Sequence, residues 1–370
     1  MRRLIFVLLA SMCFPACCHT PVPPAPACEA VKDAVPLCGF RNPEDIERLP
    51  DNHSLLVSQM GDMEGDTPGS LAVYDTVDQT LSVVFPVKQE RTAVGTDWGA
   101  DTCPGIPDGR FAPHGISLRQ RADGRWQVAV INHGGRESVE MFELLQAGDD
   151  MQLAWRGCVV PPDGIWMNDL ALLRNGGFVA SHMFDRHGYR IGGMRTGMWK
   201  AFLGLDTGYV FEWQPQQSGI RVLAGSEGSF PNGVAITPDD QTVYAAMCTA
   251  GALRELDRTT GALRRQFDVP QPDNLAWDDQ GHLLVTGVTA SLSEQMACSK
   301  HHGEVCLARF GVFRLDSQRG HLETVFEQDG APMGAGTVAR QLGENLYIGS
   351  YTGDRILRVP YVPSSSAVSH

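Results

Sequence analysis

The sequence predicts an all-β protein, a six-bladed β-propeller with a central channel that holds metal. Segments with helical periodicity are scarce, and short runs rich in β-branched and aromatic residues alternate with Gly, Asp, Asn and Pro. Polar residues recur at the starts of such runs, roughly every 40 to 70 residues, which is at the loose end of propeller repeat lengths. Residues 40–360, divided by about 50 residues per blade, make about six blades.

The predicted strands share a common order along the chain. A turn such as residues 237–241 precedes a strand of small and aromatic residues, and a second strand that ends in charged residues follows. Inner, middle and outer strands succeed one another in this way within a propeller blade. The sequence predicts strands of this kind at residues 54–58, 71–74, 127–131, 177–181, 208–213, 242–246, 251–256, 346–350 and 354–359.

The composition is that of a globular protein with an acidic balance. The chain has 370 residues, of which 43% are hydrophobic and 20% are charged, so it is neither disordered nor membrane-spanning. The net charge of −13 argues against nucleic acid as a partner, because such a partner requires a basic face. An acidic balance is compatible with cation binding.

The amino terminus has the pattern of an export signal. Arg2 and Arg3 precede a short apolar run at residues 4–10, which is too short to span a bilayer. Ala16 precedes Cys17, so the signal also fits lipoprotein processing with a lipid anchor at Cys17. We expect export to the periplasm or to the outer membrane as a lipoprotein. The expected segments are a signal peptide at 1–17, a Pro-rich tether at 18–37, the propeller domain at 38–362 and a disordered tail at 363–370.

Seven cysteines follow the Pro-rich run, and in an exported protein they indicate disulfides. Cys298 and Cys306 bracket a short loop and form the first predicted pair, and Cys103 with Cys158 is the second. Two histidines inside the short loop also allow a zinc site, but the irregular spacing and the export signal favour a disulfide. An odd number of cysteines leaves at least one thiol unpaired.

Polar residues lie at or just before the starts of five predicted inner strands. Each is a carboxylate, an amide or an imidazole next to a turn-rich stretch of Pro, Gly or Asp. The inner strands of all blades begin around the central channel, so residues that are distant in sequence meet there. We therefore expect these positions to converge on one metal site. They are Glu44-Asp45, residues 113–116, Asn168-Asp169, residues 231–234 and residues 273–275.

A set of short motifs occurs in order along the chain. The motifs are FAPHGIS at 111–117, VINH at 130–133, SVEMF at 138–142, ND at 168–169, LGL at 203–205, PNG at 231–233, TPDD at 237–240, DNL at 273–275, GAGTVA at 334–339 and LYIG at 346–349. In this order they resemble the serum paraoxonases, within the wider group of calcium-dependent gluconolactonase and regucalcin propellers. The likeness extends from about residue 44 to residue 359, which is nearly the whole mature chain.

The resemblance implies a six-bladed propeller with two stacked Ca²⁺ ions, one catalytic and one structural. His114 and His133 match the histidine pair of the family and are implied to be catalytic. The implied ligands of the catalytic ion are Glu44, Asn168, Asn232, Asp273 and Asn274. The implied ligands of the structural ion are Asp45, Asp169 and the carbonyl oxygen of Ile116.

Two features depart from the family pattern. Ser181 lies in an Ala-Ser-His motif where the family has Asn-Asp-His, so the carboxylate that steadies the histidines is missing or supplied elsewhere. The chain also has no cysteine near its carboxyl terminus to close the ring covalently. We therefore expect the ring to close without a disulfide between its ends.

The implied donor set suits calcium. Two carboxylates balance the charge of a divalent cation, and three amides fill the coordination shell without further repulsion. Magnesium requires tighter octahedral geometry and zinc prefers nitrogen or sulfur, so both fit less well. The chain has no Gly-x-Ser-x-Gly nucleophile elbow, so a base must activate water. His114 and His133 are candidates because imidazole titrates near neutral pH, although each taken singly also fits a structural role.

We expect an exported, calcium-dependent hydrolase that opens lactones, with aryl-ester or phosphotriester cleavage as side activities. Trp166, Met183, Phe184 and Trp199, expected around the channel mouth, favour an apolar acyl or aromatic substrate over a bare sugar, although the same residues fit the hydrophobic core equally well. Residues 184–204 form a predicted helical or irregular insertion, at the place of a lid or an ordinary surface excursion. The alternatives are a sugar lactonase and a non-catalytic, calcium-stabilised propeller that binds a partner. The expected partner is a small-molecule lactone or ester, and the sequence leaves the oligomeric state open.

Overall fold

The structure is a six-bladed β-propeller. It is a computed structural model that describes residues 26–361, except for 87–97, 108, 148–149 and 299–302. Six sheets of four antiparallel strands surround a central channel, and a two-stranded sheet belongs to an insertion. The predicted all-β fold with six blades is confirmed. The predicted signal peptide, the lipid anchor at Cys17 and the predicted tail lie outside the described residues.

The chain enters the ring at β1 (Val35–Cys38) and then builds each blade from its inner to its outer strand. Blade one contains β2 (Pro43–Arg48), β3 (Ser54–Gln59), β4 (Ser70–Asp75) and β5 (Thr80–Phe85). Blade two contains β6 (Pro113–Gln120), β7 (Trp126–Asn132), β8 (Ser138–Ala147) and β9 (Asp150–Val159). Blade three contains β10 (Met167–Leu172), β11 (Phe178–His182), β14 (Tyr209–Trp213) and β15 (Arg221–Val222).

The second half of the ring repeats this order. Blade four contains β16 (Pro231–Ile236), β17 (Thr242–Met247), β18 (Ala252–Asp257) and β19 (Leu263–Asp268). Blade five contains β20 (Pro272–Trp277), β21 (Leu283–Val288), β22 (Phe310–Asp316) and β23 (His321–Gln328). Blade six contains β24 (Gly336–Leu342), β25 (Asn345–Ser350), β26 (Arg355–Pro360) and β1. Every strand predicted above overlaps one of these strands.

The hydrophobic core lies between neighbouring blades. Each pair of adjacent blades encloses its own cluster of buried apolar side chains. Between blades six and one, for example, Ile46 and Val57 pack with Val338 and Ile356. Each such side chain contributes about 1.5–3 kcal/mol when it is fully buried, so the ring is stabilised by interfaces that every blade shares with two neighbours. The inner strands contact one another in the circular order β2, β6, β10, β16, β20 and β24.

Hydrogen bonds between the two ends of the chain close the ring. β1 pairs with β26 in antiparallel fashion along its whole length, so the amino-terminal strand completes the last blade. The Cys28–Cys38 disulfide links two residues of the amino-terminal segment and does not join the ends of the ring. The expected closure without a covalent link is therefore confirmed. Because β1 belongs to a sheet, the propeller begins before residue 38, the boundary expected from the sequence.

The two predicted disulfides are present, Cys103–Cys158 and Cys298–Cys306. Cys248 is the free cysteine among the described residues. Since Cys298 and Cys306 are bonded to each other, their sulfurs are not available as zinc thiolates, and the disulfide interpretation of this loop is correct. The two histidines of the loop lie outside the described residues.

An insertion interrupts blade three between β11 and β14, where the sequence predicts one. We call residues 184–204 the blade-three insertion. It contains β12 (Arg190–Ile191), β13 (Met194–Arg195) and α1 (Thr196–Phe202). A second short helix, α2 (Leu292–Cys298), lies in blade five. Within the described part of the chain, no helix has the length and apolar character needed to cross a membrane.

Arg355 ties the amino-terminal segment to blade six. It is buried, it pairs with Asp354 at 2.7 Å, and it lies on β26. Its guanidinium donates to the carbonyl oxygens of Pro26, Ala27 and Pro332 at 3.0, 3.2 and 3.2 Å. We expect Arg355→Met to lower the free energy of unfolding by about 2–3 kcal/mol in urea titrations, because buried acceptors lose their donor. Arg358→Met on the same strand is the control, and an equal loss in both variants would contradict this role.

Candidate functional site

Every inner strand carries a β-bulge close to its first residue. In all six blades the register between the first and second strands shifts at this point. A bulge bends its strand and re-aims side chains, so successive residues can both serve the channel. The bulges explain why the predicted site residues of five blades lie around one channel. The bulge residues are Glu44, His114-Gly115, Asn168-Asp169, Asn232-Gly233, Asp273-Asn274 and Thr337-Val338.

Four oxygens of the predicted catalytic set are buried without a hydrogen-bond partner in the described part of the chain. They are Glu44 Oε2, Asn168 Oδ1, Asn232 Oδ1 and Asn274 Oδ1. Their residues are 4% exposed or less. Buried polar atoms in folded proteins are nearly always paired, so each exception points to a further partner such as an ion. All four are carbonyl or carboxylate oxygens, which is the donor type that Ca²⁺ prefers.

The other polar atoms of these side chains hold the unpaired oxygens in place. Asn274 Nδ2 donates to Glu44 Oε1 at 2.8 Å, which links blades five and one. Asn168 Nδ2 lies 3.4 Å from Met183 Sδ. Thr337 of blade six donates its hydroxyl to the Glu44 carbonyl oxygen at 2.6 Å. The amide nitrogens are thus engaged with protein atoms, and the oxygens stay available to a cation.

The fifth predicted residue, Asp273, lies beside Asn232 and a free thiol. The Asn232 side chain lies close to both Asp273 and Cys248 and lowers the pKa of each, although burial outweighs this effect. Burial, reinforced by the Asp273 charge, raises the pKa of the Cys248 thiol, so the thiol stays protonated at neutral pH. The sequence analysis gave Cys248 no role. Met247 lies opposite Pro231 in the pairing of β17 with β16. Cys248 follows Met247 and Asn232 follows Pro231, so only this register shows that the two residues are close.

Asp45 and Asp169 share one arrangement, each one residue after a predicted ligand of the catalytic ion. One oxygen of each carboxylate accepts the N–H of the following residue. The other accepts from the next blade: Asp45 Oδ2 from the N–H of Ile116 at 2.7 Å, and Asp169 Oδ2 from the N–H of Val234 at 2.8 Å. The structure therefore brings Ile116 next to Asp45, in contact through its N–H, whereas the sequence analysis assigned its carbonyl oxygen. These bonds also join successive blades at the channel wall.

Glycines allow neighbouring inner strands to approach closely. A Cβ atom at Gly115 would lie 2.6 Å from the carbonyl oxygen of Asn168. A Cβ atom at Gly233 would lie 2.2 Å from the carbonyl oxygen of Asp273. A side chain at either position would push the blades apart, so each glycine allows close approach of the predicted metal ligand on the next blade.

Carboxylates crowd the channel and perturb one another. Burial raises the pKa of Asp45 well above its usual value of 3.8, and the Glu44 charge adds to this effect. Burial also raises the pKa of Asp169, with the Asp45 charge as the next cause. The pKa of Asp273 is also raised, first by burial and second by the Glu44 charge. Ionised carboxylates in such a buried group require compensating positive charge.

The candidate set depends on amide oxygens. In the described ranges, no group of three or more His, Cys, Asp or Glu side chains is placed to hold a metal ion by itself. The predicted catalytic set instead joins two carboxylates to three asparagines, a combination that suits a hard cation with many oxygen ligands. The residues present therefore fit calcium better than zinc, which takes nitrogen and sulfur.

His114 and His133 form a hydrogen-bonded pair at the edge of this set. His114 Nδ1 and His133 Nε2 are 3.0 Å apart, and His114 Nε2 is 3.6 Å from Glu44 Oε1. On the other side, His133 Nδ1 is 2.8 Å from Glu137 Oε2. Both imidazoles are buried. A chain of contacts thus connects the candidate metal ligand Glu44 with the carboxylate of Glu137.

Glu137 supplies the carboxylate that the family pattern places at the position of Ser181. The Ser181 hydroxyl instead accepts the N–H of Asp169 at 3.1 Å and so braces a bulge. Glu137 was not among the predicted site residues: the sequence left open that a carboxylate from elsewhere takes this place, but no motif pointed to Glu137. The sequence did contain one signal. Glu137 follows His133 by four residues, within the short loop before β8, and in the structure their side chains face each other.

An apolar wall borders the histidine pair. Trp166, Met183 and Phe184 are buried together, with Met63, Met198 and Phe230 packed against them. The Trp166 ring meets His133 edge to face at 6.3 Å between centroids, and its Nε1 atom is buried without a partner among the described residues. Trp199, also predicted near the mouth, lies on the blade-three insertion, is 43% exposed and donates to the Ile191 carbonyl oxygen.

A cavity of about 670 Å³ occupies the other half of the channel. Its lining residues follow the bulges along the inner strands, and Asp45, Asp169 and Ile116 lie on its border. Neither His114 nor His133 lines it. The two halves of the channel therefore differ in chemistry, with amides and imidazoles on one side and arginine–carboxylate pairs on the other. Arg340 and Glu47 on its border pair at 3.0 Å, and Arg119 on its border pairs at 2.6 Å with Asp240, which does not line the cavity.

A family model for arylesterase matches residues 41–357, which is most of the chain. The chain belongs to the arylesterase family. The family name is that of hydrolases that act on esters, so the chain is a hydrolase of esters or lactones in this general sense. No curated protein matches its sequence at a significant level.

Solved structures show the same fold in other proteins. A gluconolactonase from Xanthomonas campestris is 18% identical to this chain, with 88% of this chain and 89% of that chain covered and a TM-score of 0.50. A luciferin-regenerating enzyme is 12% identical, with 88% and 94% covered and a TM-score of 0.51. A calcium-binding regucalcin from Agrobacterium tumefaciens is 13% identical, with 87% and 91% covered and a TM-score of 0.46. At such identities the first two likenesses show the propeller fold alone.

The raised pKa values of Asp45, Asp169 and Asp273 predict how stability changes with pH. The folded state binds more protons than the unfolded state between the usual value of 3.8 and the raised values, so without calcium the arylesterase loses stability as pH rises through this window. Each pKa unit is worth about 1.4 kcal/mol. We expect this slope to shrink in saturating calcium, because a cation held at the predicted site would replace the protons. Thermal unfolding between pH 5 and 8, in EGTA and in calcium, measures both slopes.

The variant Asp169→Asn tests whether the channel carboxylates, as opposed to other titrating groups, cause the pH dependence of stability. Buried His182, whose pKa is lowered by burial, acts in the opposite sense, so the informative quantity is the difference in slope between the variant and the parent. In EGTA we expect Asp169→Asn to flatten the slope, and we expect Asp78→Asn on an exposed turn to leave it unchanged. Equal slopes for the parent and Asp169→Asn would rule out this origin.

Proposed function

We propose that this arylesterase is a calcium-dependent hydrolase that opens lactones, with aryl-ester or phosphotriester cleavage as side activities. One observation carries the proposal. Four buried, unpaired oxygens come from the inner strands of four blades, and the residue of one of them, Glu44, lies 3.6 Å from the first member of a histidine pair. The oxygens suit a hard cation, and the imidazole suits proton transfer near neutral pH.

The proposed calcium sites use two successive groups of channel residues. The catalytic ion takes Glu44, Asn168, Asn232, Asp273 and Asn274. The structural ion takes Asp45, Asp169 and Ile116. Bound calcium supplies a Lewis acid that polarises the substrate carbonyl and stabilises the oxyanion formed on attack. Two ions are proposed because the carboxylates Asp45 and Asp169 border a different part of the channel from the four unpaired oxygens.

His114 is the proposed general base, with His133 as its partner. The Nδ1 atom of His114 is engaged by His133 at 3.0 Å, so Nε2, on the side of Glu44, is the atom that faces the candidate metal ligands. There it removes a proton from the water that attacks the carbonyl carbon. Burial of both rings excludes bulk water from the proton path.

The apolar wall favours substrates with an alkyl or aromatic group. Trp166, Met183 and Phe184 offer aromatic and thioether surface, whereas a sugar lactone needs partners for several hydroxyl groups. The buried Nε1–H of Trp166 has no acceptor among the described residues and is available to an ester or lactone oxygen. A sugar lactonase is the alternative that a substrate panel separates from this proposal.

We also propose that the arylesterase is exported. The three disulfides support an extracellular or periplasmic location, because the cytosol keeps thiols reduced. The proposed signal peptide covers residues 1–17, and Cys17 is the proposed site of lipid attachment. Intact-mass measurement of the mature protein from the producing cell distinguishes a lipidated amino terminus at Cys17 from simple cleavage.

The first prediction concerns calcium and two site residues. We expect initial rates on a panel of lactones and aryl esters to vanish in EGTA and to return when calcium is added back. Asn232→Ala should lower kcat/KM by about 100-fold or more, because it removes a proposed ligand, and His114→Gln by about 10²–10⁴-fold, because it removes the base. Asn345→Ala on β25 is the matched control and should keep the parental rate.

Two results would contradict this proposal in different ways. Hydrolysis that persists in EGTA would show that the arylesterase does not depend on calcium. Absence of turnover on every substrate, while calcium still raises the melting temperature, would favour a calcium-stabilised propeller that binds a partner. In that case Asn232→Ala should still weaken the calcium-dependent rise in melting temperature, which calorimetry measures.

The second prediction concerns substrate preference. Phe184→Leu should lower kcat/KM about tenfold for lactones with an alkyl tail and change it less than twofold for an unsubstituted lactone, because part of the apolar wall is lost. Phe326→Leu in blade five, which is partly buried far from the mouth, is the matched control. Faster turnover of a sugar lactone than of any alkyl-substituted lactone would favour the sugar-lactonase alternative.

A further inference from the structure

The loop between β7 and β8 places a carboxylate directly behind the histidine pair. Asn132 holds this loop: its Oδ1 accepts from the N–H groups of Ala112 and Gly134 at 2.9 and 3.1 Å. Its Nδ2 donates to the carbonyl oxygens of Gly134 and Arg136 at 3.0 and 3.1 Å. With the loop fixed in this way, Glu137 Oε2 lies 2.8 Å from His133 Nδ1.

We propose that Glu137 is a positioning residue that sets the tautomers of both imidazoles, and that Arg186 of the blade-three insertion holds Glu137 for this task. The catalytic part of this inference rests on the proposed function, in which His114 is the base. The tautomer part does not depend on it.

Glu137 contacts groups that can only donate. Arg186 Nη1 donates to Oε2 at 2.8 Å, and the N–H of Met167 donates to Oε1 at 2.7 Å. Guanidinium and amide nitrogens carry no lone pair for a hydrogen bond, so both carboxylate oxygens act as acceptors. An accepting Oε2 requires that the proton of the neutral His133 ring is on Nδ1.

The tautomer of His133 then fixes that of His114. With its proton on Nδ1, His133 presents a lone pair at Nε2, which must accept from Nδ1–H of His114 at 3.0 Å. The lone pair of His114 is thereby left on Nε2, the atom on the side of Glu44. Glu137 thus decides that the nitrogen facing the candidate metal ligands is a base. The reverse orientation would place an N–H there.

The blade-three insertion joins this chain through Arg186. Besides its bond to Glu137, Arg186 Nη2 donates to the His133 carbonyl oxygen at 3.3 Å. The insertion is anchored nearby, since Arg195 pairs with Glu64 of blade one and its guanidinium lies 4.7 Å from the centre of the Trp166 ring. The insertion is therefore connected to the histidine pair through Arg186 and Glu137.

The test uses three variants and one control. Glu137→Gln replaces the acceptor with an amide whose NH₂ group can face His133, and Glu137→Asp keeps a carboxylate. Arg186→Gln removes the anchor of Glu137. Glu143→Gln is the matched control, because Glu143 is a buried carboxylate of the same blade that pairs with Arg156 away from the histidines.

The first readout is independent of catalysis. Long-range ¹H–¹⁵N correlation spectra of protein labelled at histidine report which ring nitrogen carries the proton, and His114→Gln and His133→Gln assign the signals. In the parent protein we expect both protons on Nδ1. In Glu137→Gln we expect both on Nε2, whereas Glu137→Asp and Glu143→Gln should keep the parental pattern.

The second readout is steady-state hydrolysis in saturating calcium. We expect Glu137→Gln to lower kcat about 100-fold with KM within threefold, because the base is in the wrong tautomer while the substrate contacts remain. Arg186→Gln should lower kcat about tenfold, and Glu137→Asp should recover at least tenfold over Glu137→Gln. Glu143→Gln should stay within twofold of the parent.

Each result decides between this inference and its alternatives. Parental tautomers in Glu137→Gln would overturn it, as would an equal loss of kcat in Glu143→Gln, which would point to general destabilisation. If the tautomers change as expected but the parent hydrolyses no substrate, the proposed function fails while the positioning role stands. If Glu137→Gln does not fold by circular dichroism, Arg186→Gln carries the tautomer test, and a parental pattern there with unchanged kcat overturns the role of the insertion.

Discussion

Buried negative charge at the centre of the ring is the constraint on which this arylesterase depends. Burial raises the pKa values of Asp45, Asp169 and Asp273, and the charges of the neighbouring carboxylates Glu44 and Asp45 add to this effect. Two like charges 4 Å apart repel by about 4 kcal/mol at an effective dielectric constant near 20, whereas a whole domain is stable by about 5–15 kcal/mol. The ring can hold four carboxylates there only if protons or cations compensate them. The bulges, the glycines and the hydrogen bonds between blades bring these carboxylates together. The same architecture therefore creates both the buried charge and the proposed calcium site.

Much of the fold could be predicted because its pattern is local. Short alternating runs between turn residues identified the middle and outer strands, and recurring polar residues identified the starts of the inner strands. The motifs around Asn168 and Asn232 then suggested which side chains share the channel. The register shifts that aim these side chains were not predictable, because a bulge depends on the partner strand as much as on its own residues. The contact between Ile116 and Asp45 through an N–H, for example, required the register of two blades.

The histidine relay shows why the remaining part of the site was missed. A family pattern predicts a carboxylate at one position, but the physical requirement is only an acceptor near His133 Nδ1. Here the Ser181 hydroxyl accepts a hydrogen bond from the N–H of the bulge residue Asp169. Glu137 contacts the His133 imidazole from a loop of the neighbouring blade. Cys248 is a similar case, because only the pairing of β16 with β17 brings it to Asn232. Contacts between side chains that are distant in sequence determine which residue takes such a role. A single sequence does not reveal these contacts.

The pairing of β1 with β26 has a consequence for how the protein matures. β1 is synthesised long before its partner β26. It can therefore complete blade six only after nearly the whole chain has left the ribosome and, if the protein is exported, crossed the membrane. Before this pairing forms, blade six lacks its outer strand. Closure and the dehydration of the channel are therefore late and coupled events. A compartment rich in calcium at that moment would favour the closed ring over the open chain by mass action.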